Sequence, residues 1–524
     1  MAASSGPGGG SGPVRVTYTV GDKTQPIQCE LLVVACDPRA LLGSVMTATP
    51  QETEAFSDLT DFTFHTTIVT AKVPKDRPPR YGAVLDPDAV EAMDGRVCGF
   101  RNESAKQHSL ERANGLDQNH LVVYQLRDDQ KGVWTPEQFE ARLHEELPTL
   151  DWWPFGRDYV LEGSFLNTTY FSHFTAAGLQ AGRPWQVLDL QGDHHTVYVP
   201  ASTCFESVLH CWQYQQLLLG PEDPSDPEGP PRIELPPDTG ASIVIVGAGV
   251  SGLLFANALR QRGYTNVVLL EKAVQHVGGK TDTVVLHEPF PPEHPEPTVC
   301  ELGTCYLSPA YHALATALRP FTENKGGIDV NERRGFETRP GIHGDFRGMV
   351  MTGSDGTRRV VSYDDYVVAR ALQPFGGEPP FTKDEKEAVF ATIAFLLDQY
   401  SELAVAEMTP VLPMPIEPPA IAARGITYQE WIEENKLQPL TGVLEYAYSV
   451  QGYGPLSQIP AYYGLVWISS DLTPRLVSDA LKPKPEVTFW SKGWGHVWER
   501  VSAGMHIVHG AQVESIKRPG TDPP

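Results

Sequence analysis

Ser242-Ile243-Val244-Ile245-Val246-Gly247-Ala248-Gly249-Val250-Ser251-Gly252 is the stretch on which the fold turns. The four apolar residues 243–246 read as a short strand buried on both faces. The glycines after it have separate duties. Gly247 makes a tight turn, Gly249 lets a phosphate approach the backbone, and Gly252 lets a helix pack on the strand. An apolar helix to about Gln261 follows, then a second strand, Val267-Val268-Leu269-Leu270, closed by Glu271 nineteen residues beyond Gly252. An acid at that place accepts hydrogen bonds from a ribose and points to a free 2′-hydroxyl, which FAD and NAD share. The dinucleotide site so predicted comprises Gly247, Ala248, Gly249, Ser251, Gly252, Glu271 and the adjacent Lys272.

The sequel chooses between the two cofactors. Gly278-Gly279-Lys280 is a paired-glycine turn of the kind that, in FAD enzymes, brings backbone amides and a basic side chain toward the flavin half. Further along stand Glu301-Leu302-Gly303-Thr304-Cys305-Tyr306, Gly452-Tyr453-Gly454, Ile459-Pro460-Ala461-Tyr462-Tyr463 and Trp490-Ser491-Lys492-Gly493-Trp494. A last strand runs from Val513 to Arg518. Ahead of the fingerprint lie Leu32 to Arg39, Tyr170-Phe171-Ser172-His173-Phe174 and Ala201 to Val208.

Together these segments resemble the flavin-containing amine oxidase superfamily, in the branch near the bacterial polyunsaturated fatty acid isomerase. The resemblance implies an α/β fold of the two-dinucleotide-binding-domain type: a Rossmann-like FAD-binding domain with a mixed-sheet plus helical substrate domain. It adds Gly278, Gly279, Lys280, Gly303 and Thr304 to the FAD site, with Val513 meeting adenine through its backbone. Glu206, Ser207 and Val208 start the helix at the flavin end.

The order of the pieces differs from the family's. There the glycine fingerprint comes first and the Phe-Glu-Ser-Val helix last; here the last part precedes the first. The two segments, 14–219 and 241–524, are complementary, and Val513–Arg518 would continue into Val14–Val20 as a hairpin cut at its tip. A circular permutation is therefore expected, because termini can lie close together at a surface. The rival arrangement is a pair of truncated tandem copies that needs a second molecule to complete its core. The expected layout is a disordered tail at 1–13 and FAD-domain pieces at 14–60, 191–219, 241–310 and 491–524. Substrate-domain pieces fall at 61–190 and 311–490, and a linker at 220–240. That linker, with seven prolines and the acids Glu222, Asp223, Asp226 and Glu228, reads as extended and solvated.

Three departures from the family matter. The connection from Glu271 to Gly278 is one residue longer, which predicts a bulged turn. Pro200-Ala201 replace a glycine before the closing helix, for which Thr203 and Glu206 read as a capping box. The lysine usually placed near flavin N5 is missing from Asp61–Val69, where His65 is the nearest titratable group and reads as an ordinary strand histidine.

Composition narrows the classes. The chain has 524 residues, 41% of them hydrophobic, and 65 acidic against 41 basic residues give a formal charge of −24. That charge repels nucleic acid and anionic lipid. The seven scattered cysteines, none in a CxxC pair, indicate neither a disulfide framework nor a zinc site, and no metal is expected. Cys204 reads as a buried thiol rather than a flavin attachment point. Without an apolar leader or a run of about 18 apolar residues, an intracellular, cytoplasmic protein without a transmembrane segment is expected, its organelle and oligomeric state open.

The substrate is expected to be a small molecule held among aromatic side chains: Tyr170, Phe171, Tyr453, Tyr462, Tyr463 and Trp467. His173, Tyr462 and Tyr463 are the acid–base candidates, with a satisfied buried histidine the plainer reading of His173. Three functions follow. The first is an FAD-dependent oxidoreductase taking hydride from a C–N or C–C bond. The second is a flavin-dependent double-bond isomerase of a polyunsaturated fatty acid, and the third a non-catalytic flavin-binding protein.

Overall fold

Short apolar runs from both segments meet in one parallel sheet. In the computed structural model, which describes residues 12–220, 232–286, 297–307, 309–322, 347–408, 414–469, 489–490 and 492–521, its strands are His506–His509, Val267–Glu271, Ile243–Val246, Leu31–Val34 and Thr196–Tyr198, in that spatial order. Every neighbouring pair is parallel. Ile243 stands opposite Leu31 and Val246 opposite Val34, so the glycine-rich strand of the back segment is flanked by a strand of the front one. Residues 31–34 and 243–246 are all buried, as an interior parallel strand requires.

The chain's two ends also pair. Ala511–Lys517 runs antiparallel to Val14–Val20, with Val16 opposite Ile516 and Tyr18 opposite Val513, and Lys23–Cys29 completes a three-stranded sheet. This third strand escapes an apolar-pattern reading because only Ile27 and Cys29 turn inward. Its Pro26 is tolerated because the strand lies at the sheet's edge.

A larger, seven-stranded mixed sheet has the order Arg358–Ser362, Arg347–Thr352, Ala83–Leu85, Asp94–Asn102, Gln118–Asp128, Leu59–Lys72, Tyr159–Phe174. Its one parallel pair, Arg347–Thr352 with Ala83–Leu85, is again a meeting of back and front segments. A two-stranded ribbon, Thr283–Leu286 with Thr298–Glu301, lies beside it.

A long helix spans Lys383–Met408 and buries Phe390, Ile393, Leu397 and Tyr400. Leu396 packs only in part and Phe395 is 70% exposed. Among the described residues this is the one helix long and apolar enough to cross a membrane by length and composition. Its inner face is fixed to protein: Tyr400 Oη lies 2.7 Å from Tyr428 Oη and donates to Ile468 O at 2.9 Å.

The expected linker differs from an extended, solvated strand in its second half. Residues 221–231, like the tail 1–11, lie outside the described residues. From 232 onward the chain is docked: the Arg232 and Ile233 amides donate to Leu218 O, Ile233 is buried, and Tyr264 Oη donates to Pro236 O. Ile233 supplies an apolar anchor that the surrounding prolines hide from a composition argument.

Candidate functional site

The glycine turn is built on contacts that admit no side chain. Gly247, at φ +103°, donates its N–H to Leu270 O at 2.9 Å. A Cβ on Gly252 would stand 2.0 Å from Gly247 O, so the helix Val250–Gln261 can approach its strand only through glycine. No side chain caps that helix at Gly249, which leaves its first amides for a ligand. Glu271 closes the next strand, accepting from Ala248 N at 2.7 Å through Oε2 and from Ala273 N at 2.8 Å through Oε1. Ser251 is buried in the first turn and Lys272 is exposed beside Glu271. The structure thus brings together at one turn the residues that the spacing predicted for a dinucleotide site.

The paired glycines come back onto this turn. Gly278 N donates to Ala248 O at 2.9 Å, and a Cβ on Gly279 would meet Gly249 Cα at 3.1 Å. The longer connection from Glu271 does not displace them, because Val274 and Gln275 are turned out to solvent. Gly303 is equally constrained, since its Cβ would stand 1.8 Å from Lys280 O; Thr304 beside it is half-buried. At the other end, His509 stands opposite Glu271 and Gly510 N donates to Ala273 O at 3.1 Å, at the turn leading to half-buried Val513.

Lys280 reaches across to the front segment. Its Nζ lies 2.5 Å from Glu206 Oε1 and 5.6 Å from the centre of the Tyr170 ring. Glu206 Oε2 accepts from Ser172 N, and its backbone carbonyl accepts from Tyr453 Oη at 2.8 Å. Glu206 therefore forms no capping box with Thr203, whose hydroxyl donates to Pro200 O in a short turn at Ala201–Thr203. The helix begins instead at Val208, and Ser207 caps it by accepting from His210 N at 3.1 Å. An ion-pair partner in the back segment outcompetes the local cap, which no local pattern can reveal. Cys204 is buried, its sulfur facing the Ala201 and Phe205 carbonyls at 3.7 Å, and burial pushes its thiol up.

Beyond this ion pair the aromatic residues interlock. Tyr170 and Tyr453 stack at 5.9 Å, while Phe171, Phe205 and Tyr463 pack edge-on around them. Tyr463 Oη accepts from Phe174 N at 3.0 Å, and Tyr462 packs on Trp185, so both tyrosines have structural partners. His65 lies on the opposite face of its strand, stacked on Phe139 at 4.6 Å with Nδ1 3.0 Å from Asn167 Oδ1. Burial lowers its pKa. His173 is buried next to Phe62 and Tyr463, and burial pulls its pKa down to about 4.

One charged cluster escapes a reading of the sequence. Arg101 pairs with Glu103, which also holds Lys106 at 2.9 Å, and Arg101 donates to Glu301 O at 2.6 Å. All are buried. Glu301 accepts from Trp494 N at 2.9 Å and from Thr283 Oγ1 at 2.5 Å, and its burial pushes the carboxyl up to about 7. Arg101-Asn102-Glu103 reads locally as a polar turn; only the fold brings Glu301 to it.

Comparison with known proteins agrees with the glycine-rich half. Residues 245–319 match the family model described as NAD(P)-binding Rossmann-like domain. Among solved structures, a CLA-producing fatty acid isomerase from P. acnes aligns at 17% identity and a TM-score of 0.33, over 52% of this chain and 52% of that one. A triple mutant of putrescine oxidase, from a structure-based redesign of its cofactor binding, aligns at 20% identity and a TM-score of 0.35, over 53% of this chain and 56% of that one. The chain thus spans about half the length of each. Residues 245–319 are thus similar to the NAD(P)-binding Rossmann-like domain family, and they are set within a larger α/β chain.

Proposed function

We propose that the chain is an FAD-dependent oxidoreductase of the amine oxidase type, in circularly permuted order, taking hydride from a C–N or C–C bond of a small or lipophilic substrate. The observation that carries this reading is the Lys280–Glu206 ion pair, 2.5 Å long, between the paired-glycine turn and the start of the helix Val208–Leu219. Both NAD and FAD would hold their adenosine half at the glycine turn and its acid. What favours flavin is that the paired-glycine turn, with its basic side chain, is tied to the start of the closing helix, where the resemblance puts the flavin end.

The sheet order is compatible with the permutation: numbered from Ile243–Val246 to the C-terminus and then on from the N-terminus, the parallel strands follow 3-2-1-4-5, and numbered from residue 1 they follow 2-1-3-4-5, both of them doubly wound orders. The pairing of Val14–Val20 with Ala511–Lys517 supports closure within one chain rather than between two.

The residues fit the cofactor. The uncapped amides at Gly249–Gly252 suit a pyrophosphate. Glu271 spends one hydrogen bond per oxygen on backbone amides, which leaves lone pairs for ribose hydroxyls. Ser207 and Val208 offer the positive end of a helix dipole beside Lys280. Bound FAD would supply the hydride acceptor, and the surrounding aromatic side chains would exclude water.

The test is the absorption spectrum and flavin content of the purified monomer. About one FAD per chain is expected, and bound nicotinamide dinucleotide without flavin would overturn the reading. With flavin present, peroxide release on amines fits an oxidase, whereas a changed ultraviolet spectrum of a polyunsaturated acid without oxygen uptake moves the reaction to isomerisation. A cut within 221–231 should leave the two pieces associated and yellow; two pieces that separate and fold alone would rule out the permuted closure.

A further inference from the structure

A cleft of about 340 Å³ opens at the end of the strand Leu59–Lys72, with His173 on its wall. It lies across the aromatic layer from Lys280 and Glu206: the His173 ring contacts Phe171 at 4.4 Å and Tyr463 at 5.4 Å, and these rings pack on Phe205 and Tyr453.

Three features make this histidine a constructed element. Thr60 pairs with His173 and Phe62 with Tyr170, so two residues, Phe171 and Ser172, face the single Asp61. This bulge turns His173 to the same face as Tyr170, three positions away, where a regular strand would point it to the other. Phe171, in the bulge, has φ +49°, a region a bulky side chain rarely adopts. Its carbonyl accepts from His173 Nδ1 at 2.6 Å. Because a carbonyl cannot donate, Nδ1 carries the proton and Nε2 is the acceptor. Backbone strain held in place at one side chain points to a function for that side chain.

The rest of the wall is polar, and Asp128 adds one carboxylate to it. Thr60, Thr175, Thr427 and Ser457 bring hydroxyls, and Gln458 an amide, against the apolar Phe62 and Ile426. Asp61 pairs with Arg39 and Asp129 accepts from Thr63, whereas Asp128, on the wall, accepts from the neutral Gln130 amide at 2.9 Å and keeps its charge and further lone pairs for hydroxyl donors. With a carboxylate and an imidazole nitrogen to accept and an amide to donate, the cleft matches a ligand whose groups both donate and accept. Its volume suits a small one, ligand pockets running from about 300 Å³ upward.

We propose that this cleft is a second binding site, separate from the cofactor site, for a small neutral polyhydroxylated molecule of sugar size, one of whose hydroxyls donates to His173 Nε2. The site does not depend on the flavin reading, since none of its contacts involves the glycine turns.

The test uses the full chain labelled with ¹⁵N at histidine, titrated with D-glucose and myo-inositol, with butylammonium and butanoate as charged comparisons. The non-protonated Nε2 resonance that disappears in His173→Gln should move saturably with a polyol, and the protonated Nδ1 should stay in place. Gln458 is exposed, so Gln458→Trp tests the site without disturbing the core. Blocking the mouth should weaken polyol binding roughly tenfold or more, at least the loss of one hydrogen bond, with melting temperature and cofactor content unchanged. No saturable shift with either polyol, saturation by a charged probe alone, or a shift that survives Gln458→Trp would each overturn the proposal.

Discussion

The front and back segments meet in two ways. In the parallel sheet the junction is main chain and glycine: Leu31–Val34 lies beside Ile243–Val246, and a Cβ on Gly247 or Gly252 would stand 3.4 Å or 3.3 Å from Ala35. Elsewhere buried charge joins them: Arg101 on Glu301, and Arg518 on Glu52, which also accepts from Tyr198 Oη. The first kind tolerates no added atom; the second tolerates no missing one. A buried ion that loses its partner stays desolvated, so removing half a pair costs more than the pair contributes.

The sharpest way to break the charged junction is Arg518→Met. Burial pulls the Glu52 carboxyl upward, but hydrogen bonds and charge from Arg518 outweigh it and hold Glu52 below the usual range. The stabilisation is therefore present above the unfolded carboxyl's pKa and lost as pH falls through the folded one. At neutral pH the variant should lose about 3–5 kcal/mol in denaturant unfolding. The deficit should narrow in acid and should shrink when Glu52→Gln is added. A loss under about 1 kcal/mol, the surface-pair range, would remove Arg518 from the account of how the ends are held.

The glycine junction breaks by addition. Gly252→Ala puts a methyl 2.0 Å from Gly247 O, and backbone cannot rotate aside as a side chain can. A cost of about 3 kcal/mol is expected, at the upper end for overpacking, together with loss of bound dinucleotide. Gly43→Ala has no atom within 4 Å, so it isolates the cost of a positive φ without a clash. Equal losses in the two variants would show that the contact at Gly252 is not what matters.

Glu301 and Glu52 give the two charged contacts opposite pH signatures. Burial raises its carboxyl to about 7, against the pull of Lys106, Thr283 and the Trp494 amide. A raised folded pKa favours the native state below the unfolded value and withdraws that support as pH rises through the folded one. Stability should thus decline on the order of 2 kcal/mol between about pH 4.5 and 7 through this group. Glu301→Gln should flatten that slope, where Glu52 produces the reverse slope in acid. An unchanged slope in the variant would mean that Glu301 is ionised throughout.

These contrasts explain what the sequence revealed. Gly247, Gly249, Gly252 and Glu271 were legible because each is required by backbone geometry within one β-α-β unit, so spacing along the chain reports spacing in space. The Gly278-Gly279 turn was legible for the same reason, and its contact with Gly249 needs no side chain. Arg101 and Glu301 are 200 positions apart, and nothing local to either says that the guanidinium donates to the other's backbone carbonyl. The strand Lys23–Cys29 was missed because one face is solvated and its apolar signal is two residues long. His173 was visible only as a residue type, since a bulge and a strained neighbour, neither encoded by a turn residue, decide where it points.

The smallest effect separates a local from a long-range reading at the junction itself. Thr203-Cys204-Phe205-Glu206 satisfies the capping-box pattern, yet Ser207 holds the first turn of the helix and Glu206 holds Lys280. If the local reading ruled, Thr203→Ala would cost the cap and Ser207→Ala almost nothing. The geometry sets the reverse order for the cap: Ser207→Ala should lose about 1 kcal/mol, the value of an N-cap side chain. Thr203→Ser, which keeps the hydroxyl bonded to Pro200 O, should stay near the wild type. Glu206 then remains free for Lys280 in both variants, so cofactor content should be unaffected while stability falls in one of them. Loss of cofactor with Ser207→Ala at unchanged stability would instead tie this serine to the ligand and not to the helix.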